Sequence, residues 1–133
     1  MAMADRAGLP LAVHLAAASP HEVTLVHDTL KERFLRSRPR LLIGDRAYDS
    51  DKLDAELARH RITLIAPHRS GRVRPISQDG RPLRRYRRRW KIERLFAWLQ
   101  NYRRILVRHD RRVDNFEGFV HLGCLMILFR TYF

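Results

Sequence analysis

Short apolar runs alternate with helix-like patterns through the first half of this chain, and that order constrains its fold most strongly. Met1–Asp5 and Leu9–Leu15 flank the turn signal Arg6-Ala7-Gly8, which predicts a β-hairpin. Two further strands are expected at Arg40–Gly44 and Ile62–Ala66. The alternation predicts an α/β (α+β) fold in which helices flank a mixed sheet.

Four helices are expected between and after these strands. Ser19 to Glu22 has the pattern of a capping box, and the first helix should continue to about Ser37. The second begins near Asp49 or Ser50, and the third extends from Arg84 to about Arg104. The last helix starts at a second capping pattern, formed by Asp114 and Glu117, and reaches the end of the chain. Its apolar stretch from Phe119 to Phe133 is too short for a membrane span and predicts a buried terminal helix.

The chain of 133 residues is expected to be one domain, in which residues 67–84 form a basic loop or insertion and residues 85–133 the carboxy-terminal helices. Its net charge of +13 favours a polyanionic partner. Residues 1–66 contain 10 Lys and Arg against 9 Asp and Glu, whereas residues 67–133 contain 17 against 5. We therefore expect the second half to contact nucleic-acid phosphates. Cys124 has no partner for a disulfide, so a cytoplasmic location is expected.

The first candidate site residue is Asp45, at the carboxyl end of the Arg40–Gly44 run. Side chains in this position of an α/β fold face the crevice in which ligands bind, and a carboxylate there can hold Mg²⁺. The alternative is that Asp45 caps the following turn, and position alone does not separate the two. Asp49 is assigned as a helix cap.

The second candidate is Glu93, which is the only carboxylate among many cations between Arg81 and Arg104. On one continuous helix, Tyr86, Arg89, Glu93 and Gln100 would share a stripe about 60° wide. A metal-binding carboxylate ringed by phosphate-binding arginines is one interpretation. A surface glutamate paired with Arg89 is the other.

These segments resemble the DDE transposases of bacterial insertion sequences. Gly44–Ser50 is similar to the region around their second catalytic aspartate, and Arg85–Leu99 to the signature around their catalytic glutamate. That signature is tyrosine, two residues, arginine, three residues and glutamate, met here by Tyr86, Arg89 and Glu93. The start of the chain, Met3–Ala12 with Ser19–Glu22, is similar to the middle region of the same proteins, so that the resemblance covers nearly the whole sequence.

The resemblance implies an RNase H-like fold and metal-dependent cleavage and strand transfer of DNA, with Mg²⁺ or Mn²⁺ as cofactor. It implies that Asp45 and Glu93 are catalytic metal ligands. The expected partner is double-stranded DNA, both transposon ends and target, in the bacterial cytoplasm at the nucleoid. A homodimer or synaptic complex is left open, and no membrane is expected. The residues expected to contact DNA are Tyr86, Arg87, Arg88, Arg89, Arg94, Arg103 and Arg104.

Two departures from the family pattern limit this interpretation. The basic residue usually found seven positions after the glutamate is Gln100 here, and Arg103 or Arg104 could compensate. The family's first catalytic aspartate lies on a strand that precedes the segment similar to Met1–Asp5. Asp5 could substitute for it, but we assign Asp5 to the turn of the hairpin. The chain is therefore expected to be an amino-terminally incomplete catalytic domain, inactive alone, whether a truncated copy or a frameshift product.

Other interpretations stay open beside this one. A basic nucleic-acid-binding module without catalysis would use the same arginines, and a metal-dependent nuclease would cut without strand transfer. His68 is interpreted as a solvated histidine, and Trp90 and Trp98 as core residues.

Overall fold

The computed structural model describes residues 1–73, 75 and 83–133. Eight residues of the segment expected to form a basic loop, 74 and 76–82, therefore lie outside the described residues. The chain forms two compact units. The first unit contains Met1–Pro20, Leu25–Leu35 and Trp90–Phe133, and the second contains His21–Thr24 and Arg36–Arg89.

The elements are short and follow the expected order. The strands are β1 (Ala2–Ala4), β2 (Pro10–Val13), β3 (Leu41–Ile43) and β4 (Thr63–Ile65). The α-helices are α1 (Glu22–Lys31), α2 (Asp51–Arg59), α3 (Trp90–Gln100), α4 (Arg103–Leu106) and α5 (Val113–Tyr132). Two 3₁₀ segments lie at Arg46–Tyr48 and Arg84–Arg89. Helices and strands are thus mixed as an α/β class requires, and the strands pair two by two.

The first unit is built on the predicted hairpin. β1 and β2 pair antiparallel, with Met3 opposite Ala12. Gly8 takes a φ of +85°, which only glycine adopts freely, and Asp5 Oδ1 accepts hydrogen bonds from the amides of Ala7 (2.7 Å) and Leu9 (2.8 Å). The hairpin is confirmed, and Asp5 belongs to its turn as expected.

The core of the first unit lies between this hairpin and the carboxy-terminal helices. α3 contacts β1, α5 contacts β2, and both helices contact each other. The buried side chains of this core are Leu9, Val13, Leu95, Leu99, Val120, Cys124 and Ile127. Cys124 is 1% exposed, as expected for a small buried hydrophobic residue.

Two expected helices have different bounds in the structure. α1 ends at Lys31 instead of Ser37, because the chain then pairs with the hairpin: the Phe34 amide donates to the Leu11 carbonyl at 2.8 Å. The long helix from Arg84 is divided into a 3₁₀ segment, α3 and α4. Five arginines in Arg84–Arg89 repel one another and provide no apolar face, which disfavours a continued α-helix.

The terminal helix forms as predicted, but its start and burial differ. α5 begins at Val113 after Arg112, whose side chain makes no capping hydrogen bond, so Asp114 lies in the first turn and is not the cap. One face of α5 is buried and the opposite face is exposed, so the expected full burial is wrong. Among the described residues, no helix combines the length and apolarity that crossing a bilayer would need.

The second unit is a parallel strand pair with one helix. β3 and β4 pair with Leu42 opposite Leu64, and α2 lies between them in the chain. Leu53 and Leu57 are buried on α2 as predicted. The helix is capped by Ser50, whose hydroxyl accepts from the Leu53 amide at 3.3 Å, so the expected cap at Asp49 is wrong.

Candidate functional site

Asp45 lies where the sequence predicted it, directly after β3. The Gly44 amide still donates to the Ile65 carbonyl at 2.9 Å, so the parallel pairing continues to the residue before Asp45. Asp45 Oδ1 accepts from the Ala47 amide at 2.8 Å and caps the first 3₁₀ segment. The capping alternative is therefore correct for one oxygen. Oδ2 belongs to a side chain that is 37% exposed and remains accessible to a ligand.

Arg89 and Tyr86 lie beside this carboxylate in the second unit. A guanidinium nitrogen of Arg89 is 3.5 Å from Asp45 Oδ2. The Arg89 guanidinium also lies 5.7 Å from the centre of the Tyr86 ring. In a 3₁₀ helix side chains three residues apart eclipse each other, which explains this pairing. The structure thus brings together three residues that the sequence predicted for the site.

Tyr48 forms the packed support under the same strand end. Burial raises the pKa of its hydroxyl well above the ordinary range, and the nearby charges of Glu22 and Asp45 raise it further. A Cβ built on Gly44 would lie 2.7 Å from Cδ2 of the Tyr48 ring. A glycine is therefore needed where the strand passes over the ring.

Asp49 is the residue that the sequence interpretation missed. Its side chain is 6% exposed and accepts hydrogen bonds from the His68 ring nitrogen Nδ1 (2.9 Å), the Arg69 amide (2.8 Å) and Arg72 (2.7 Å). Although burial raises the pKa of Asp49, these hydrogen bonds and the Arg72 and His68 charges outweigh it and hold the pKa below its ordinary value. A second Arg72 nitrogen lies 2.6 Å from Asp51.

This network fixes the start of the basic segment to the turn that contains Asp45. Arg69 also donates from Nε to the Arg46 carbonyl (3.1 Å) and from its terminal nitrogen to the Ala47 carbonyl (2.8 Å). His68 is only 15% exposed at its side chain, so its interpretation as a solvated residue is wrong. The sequence contained one available signal: Asp49 follows Asp45 by four residues, and the segment after β4 contains His68, Arg69 and Arg72.

Glu93 lies in the other unit, exposed on the first turn of α3. An acidic residue in this position is favoured by the helix dipole. Tyr86 and Arg89 are in the 3₁₀ segment before α3, so the single helical stripe expected to join them to Glu93 and Gln100 is not formed.

Arg94 is engaged within the first unit. Its guanidinium lies 4.8 Å from the Trp90 ring centre and 4.6 Å from the Trp98 ring centre, and it donates to the Ala7 carbonyl in the hairpin turn. Trp98 packs partly buried against the core as predicted, whereas Trp90 is 50% exposed and is not a core residue. Arg94 therefore joins α3 to the hairpin.

The other expected DNA-contacting arginines are exposed. Arg87 and Arg88 lie in the second 3₁₀ segment, and Arg103 and Arg104 in α4. Arg104 lies 5.2 Å from the Phe119 ring centre and 3.8 Å from Asp110. Exposed guanidinium groups of this kind can pair with phosphate oxygens in two-pronged contacts.

The donor chemistry of Asp45 fits a hard divalent cation, because such ions take oxygen ligands. The fit is limited to one carboxylate: within the described residues 1–73, 75 and 83–133, no group of three or more His, Cys, Asp or Glu side chains is arranged to hold a metal ion. Arg89 beside Oδ2 would have to share that oxygen with a bound ion.

Comparisons with known proteins agree with the two motifs. Residues 1–129 match the family described as the transposase DDE domain. The chain is 35% identical over 140 aligned positions to a protein of Burkholderia cepacia named as a candidate transposase for insertion sequence element IS402, covering 96% of this chain and 60% of that protein.

A second relative gives the same assignment. The chain is 36% identical over 91 aligned positions to a protein of Brucella ovis named as a candidate transposase for insertion sequence element IS6501, covering 67% of each chain. No solved structure matches at a comparable level of significance. The chain thus spans about three fifths of the length of the first relative. It belongs to the transposase DDE domain family, whose fold is RNase H-like.

Proposed function

We propose that this chain is part of the catalytic domain of a bacterial insertion-sequence transposase and acts in DNA transposition. The observation that carries the proposal is the cluster of Asp45, Arg89 and Tyr86 at the end of β3, within a chain of the transposase DDE domain family. These residues come from the two motifs that resemble the family's catalytic segments. The proposed location is the bacterial cytoplasm, at the DNA.

Membership of this family implies a divalent metal requirement. We propose Mg²⁺ or Mn²⁺, held by Asp45 and Glu93 together with a third carboxylate. Such an ion, when bound, activates the attacking oxygen and stabilises the leaving oxygen. Asp45 would offer Oδ2, while its bond to the Ala47 amide fixes the orientation of the carboxylate.

The arginines would bind and orient the DNA. Arg89 would contact a phosphate next to Asp45, held in place by the ring of Tyr86. Exposed Arg87, Arg88, Arg103 and Arg104 would add phosphate contacts that fix the register of the duplex. Arg94 would contribute to DNA binding indirectly, by holding the hairpin turn against α3 through its hydrogen bond to the Ala7 carbonyl.

In the proposed reaction a water oxygen attacks a DNA phosphorus, and the bond to the 3′-oxygen breaks to release a 3′-hydroxyl. The proton of that water is lost to solvent, and the leaving oxygen gains one. In strand transfer that 3′-hydroxyl attacks a phosphorus of the target DNA in place of water and loses its proton to solvent. The bond from this phosphorus to the 3′-oxygen of the target strand breaks, and that oxygen gains a proton. We expect that the 133 residues do not cut DNA by themselves, because the family motif needs a third carboxylate. This stays a prediction.

The test has a binding part and a cleavage part. Mn²⁺ titrated into this chain should broaden the backbone NMR signals around Asp45 and Glu93, and Asp45→Asn should remove the broadening at its own position. Asp51→Asn, a carboxylate outside both motifs, is the matched control. In a family member of full length, the Glu93→Gln equivalent should abolish cutting and spare DNA binding, and retained cutting would show the catalytic assignment to be wrong.

The second candidate is a nucleic-acid-binding module without catalysis. The observation that favours it is the role of Asp45 as the cap of the first 3₁₀ segment, which is a structural use of the same side chain. In that case Asp45→Asn would change DNA affinity and Mn²⁺ broadening no more than the control Asp51→Asn does. Both candidates predict an affinity that falls steeply with salt.

A further inference from the structure

The first 3₁₀ segment, Arg46–Tyr48, follows directly after Asp45 and is held by hydrogen bonds on two sides. On one side, Oδ1 of Asp45 accepts from the Ala47 amide at 2.8 Å. On the other side, Arg69 donates from Nε to the Arg46 carbonyl at 3.1 Å and from a terminal nitrogen to the Ala47 carbonyl at 2.8 Å. Ala47 therefore links the two side chains, because its N–H bonds to Asp45 and its C=O bonds to Arg69.

One peptide unit transmits the position of Arg69 to Asp45. The carbonyl of Arg46 and the N–H of Ala47 belong to the same planar group. Nε of Arg69 and Oδ1 of Asp45 bond to opposite ends of this rigid group. A tilt of the peptide plane would break both bonds, so the guanidinium and the carboxylate are oriented together.

The backbone of Arg69 is itself held by Asp49. The Arg69 amide donates to Oδ2 of Asp49 at 2.8 Å, and the Asp49 side chain is almost fully buried. The Asp49 amide donates to the Arg46 carbonyl at 3.3 Å, and this carbonyl also accepts from Arg69 Nε. These contacts close a ring of hydrogen bonds, to which Asp45 is bonded through the Ala47 amide.

The shape of the Arg69 guanidinium suits this role. Nε and a terminal nitrogen lie on one planar edge, so they reach two acceptors at a fixed separation. The exposed side chain contributes little to folding, because water can replace its hydrogen bonds. Its contacts with the carbonyls also use the guanidinium edge that would form a two-pronged contact with a phosphate. The orientation of the turn is the effect that water would not reproduce.

We propose that Arg69 is a positioning residue, which holds the Asp45 carboxylate in one orientation through the peptide unit between Arg46 and Ala47. Because Oδ1 is held on the Ala47 amide, Oδ2 is presented to a cation or to Arg89. The proposal rests on the proposed function in so far as Asp45 binds a metal ion. Removing a group that orients a metal ligand commonly lowers metal affinity by about 10–100-fold.

Hydrogen exchange of the Ala47 amide, followed by NMR on the complete chain without metal, tests the positioning. Arg69→Ala should speed this exchange roughly fivefold, the equivalent of one lost hydrogen bond. The Leu53 amide, bonded to Ser50 in the same unit, should keep its rate and reports whether the unit is folded. Arg59→Ala, at an exposed arginine of that unit, is the control and should change neither rate.

An unchanged Ala47 rate in Arg69→Ala would overturn the proposal. A lower salt slope of DNA binding in the same variant would then assign Arg69 to a phosphate contact.

Arg69→Lys separates shape from charge and keeps the test decisive if Arg69→Ala does not fold. Lysine keeps the positive charge but lacks the rigid edge with two donors. The Ala47 amide should therefore exchange faster than in the wild type in this variant too. A wild-type rate in Arg69→Lys would overturn the proposal, since charge alone would then be sufficient.

Mn²⁺ binding distinguishes a failure of this inference from a failure of the proposed function. The dissociation constant is taken from the NMR broadening that Asp45→Asn removes, and Arg69→Ala should raise it about tenfold. If Asp45→Asn removes the broadening and Arg69→Ala leaves the constant unchanged, the inference is wrong. If Asp45→Asn removes no broadening, the proposed function is wrong, and exchange of the Ala47 amide alone decides the role of Arg69.

Discussion

The guanidinium of Arg89 lies 3.5 Å from Oδ2 of Asp45, so two segments that are far apart in sequence meet at the end of β3. Arg89 comes from an arginine-rich 3₁₀ segment and Asp45 from the turn after a parallel strand. Both side chains are more than a third exposed, at 39% and 37%. The contact therefore lies at a solvent-accessible surface, and an ion pair exposed to this degree contributes little to folding.

Arg89→Ala is expected to separate a role in folding from a role in DNA binding. Because the ion pair is exposed, the free energy of unfolding should change by less than about 1 kcal/mol. Affinity for a DNA duplex should fall, and the slope of its logarithm against that of salt concentration should drop by about one phosphate contact. Fluorescence anisotropy in a salt series measures the slope. Arg59→Ala, an exposed arginine at the end of α2, is the control and should leave it unchanged.

Asp49→Ala is expected to destabilise the second unit strongly. The change leaves Arg72 and His68, which are 12% and 15% exposed, without their buried partner. Losing one member of a buried charge network costs about 3 kcal/mol. Asp51→Ala, whose side chain is 34% exposed, should cost less than about 1 kcal/mol. Urea denaturation compares the two, and equal losses would argue against a central role for Asp49.

Acid should weaken the contribution of Asp49. Its pKa is lowered in the folded chain, so its stabilisation is complete above the ordinary value of 3.8 and is lost as the pH falls through the lower folded value. Asp49→Asn should therefore differ from wild type near neutral pH and converge with it in acid. Urea midpoints measured across this acid range test the expectation.

Asp54 provides the control of opposite sign. Burial, followed by the charges of Asp51 and Asp49, raises the pKa of Asp54. Its contribution is fully present below 3.8 and is lost as the pH rises through the raised folded value. Asp54→Asn should thus gain stability relative to wild type near neutral pH, by less than about 1 kcal/mol since the group is partly solvated. A loss at neutral pH would contradict this sign.

Gly44→Ala is expected to disturb the strand end below Asp45. The new methyl group would lie 2.7 Å from Cδ2 and 2.9 Å from Cγ of Tyr48, so the ring must move. Such overpacking costs about 1–3 kcal/mol. Gly71→Ala, where no atom of the described residues beyond the two chain neighbours lies within 4 Å of the new carbon, should change stability by less than about 0.5 kcal/mol. Thermal unfolding of both variants measures the difference.

Arg94→Ala and Arg87→Ala should have opposite profiles. Arg94 holds two indole rings and the hairpin turn, so its loss should cost about 1–2 kcal/mol of stability and affect DNA affinity less. Arg87 is exposed, so its loss should change stability by less than about 0.5 kcal/mol and reduce the salt slope of DNA binding. Paired denaturation and anisotropy measurements test this, and identical profiles would contradict it.

The order and class of the elements could be predicted from local patterns. The hairpin, both parallel strands and α2 form where turn residues, apolar runs and helical spacing indicate them. Helix ends could not be predicted as well: α1 stops at Lys31 because the residues after it bond to the hairpin, a contact distant in sequence. The prediction of a continuous α-helix from Arg84 was wrong because charge repulsion in Arg84–Arg89 outweighs the helical periodicity.

The candidate site shows the same division. Asp45 became a candidate carboxylate through its position after a strand, and Glu93 through its isolation among cations. The resemblance to the transposase family added Tyr86 and Arg89. The hydrogen-bond network of Asp49 and His68 could not be predicted from the sequence, because a buried network depends on which side chains the fold encloses together. Arg94 belongs to the predicted DNA-contacting set, yet its packing between Trp90 and Trp98 is a property of α3 on the hairpin.

The sequence by itself determined the family, the strongly basic second half and the position of Asp45 after a strand. Each of these depends on residue type and on neighbours within a few positions. Only the tertiary structure decided that Asp45 meets Arg89, that Asp49 anchors the basic segment, and that α5 leaves one apolar face exposed. The physical reason is that burial and charge pairing depend on distances between segments, which the pattern within any one segment does not encode.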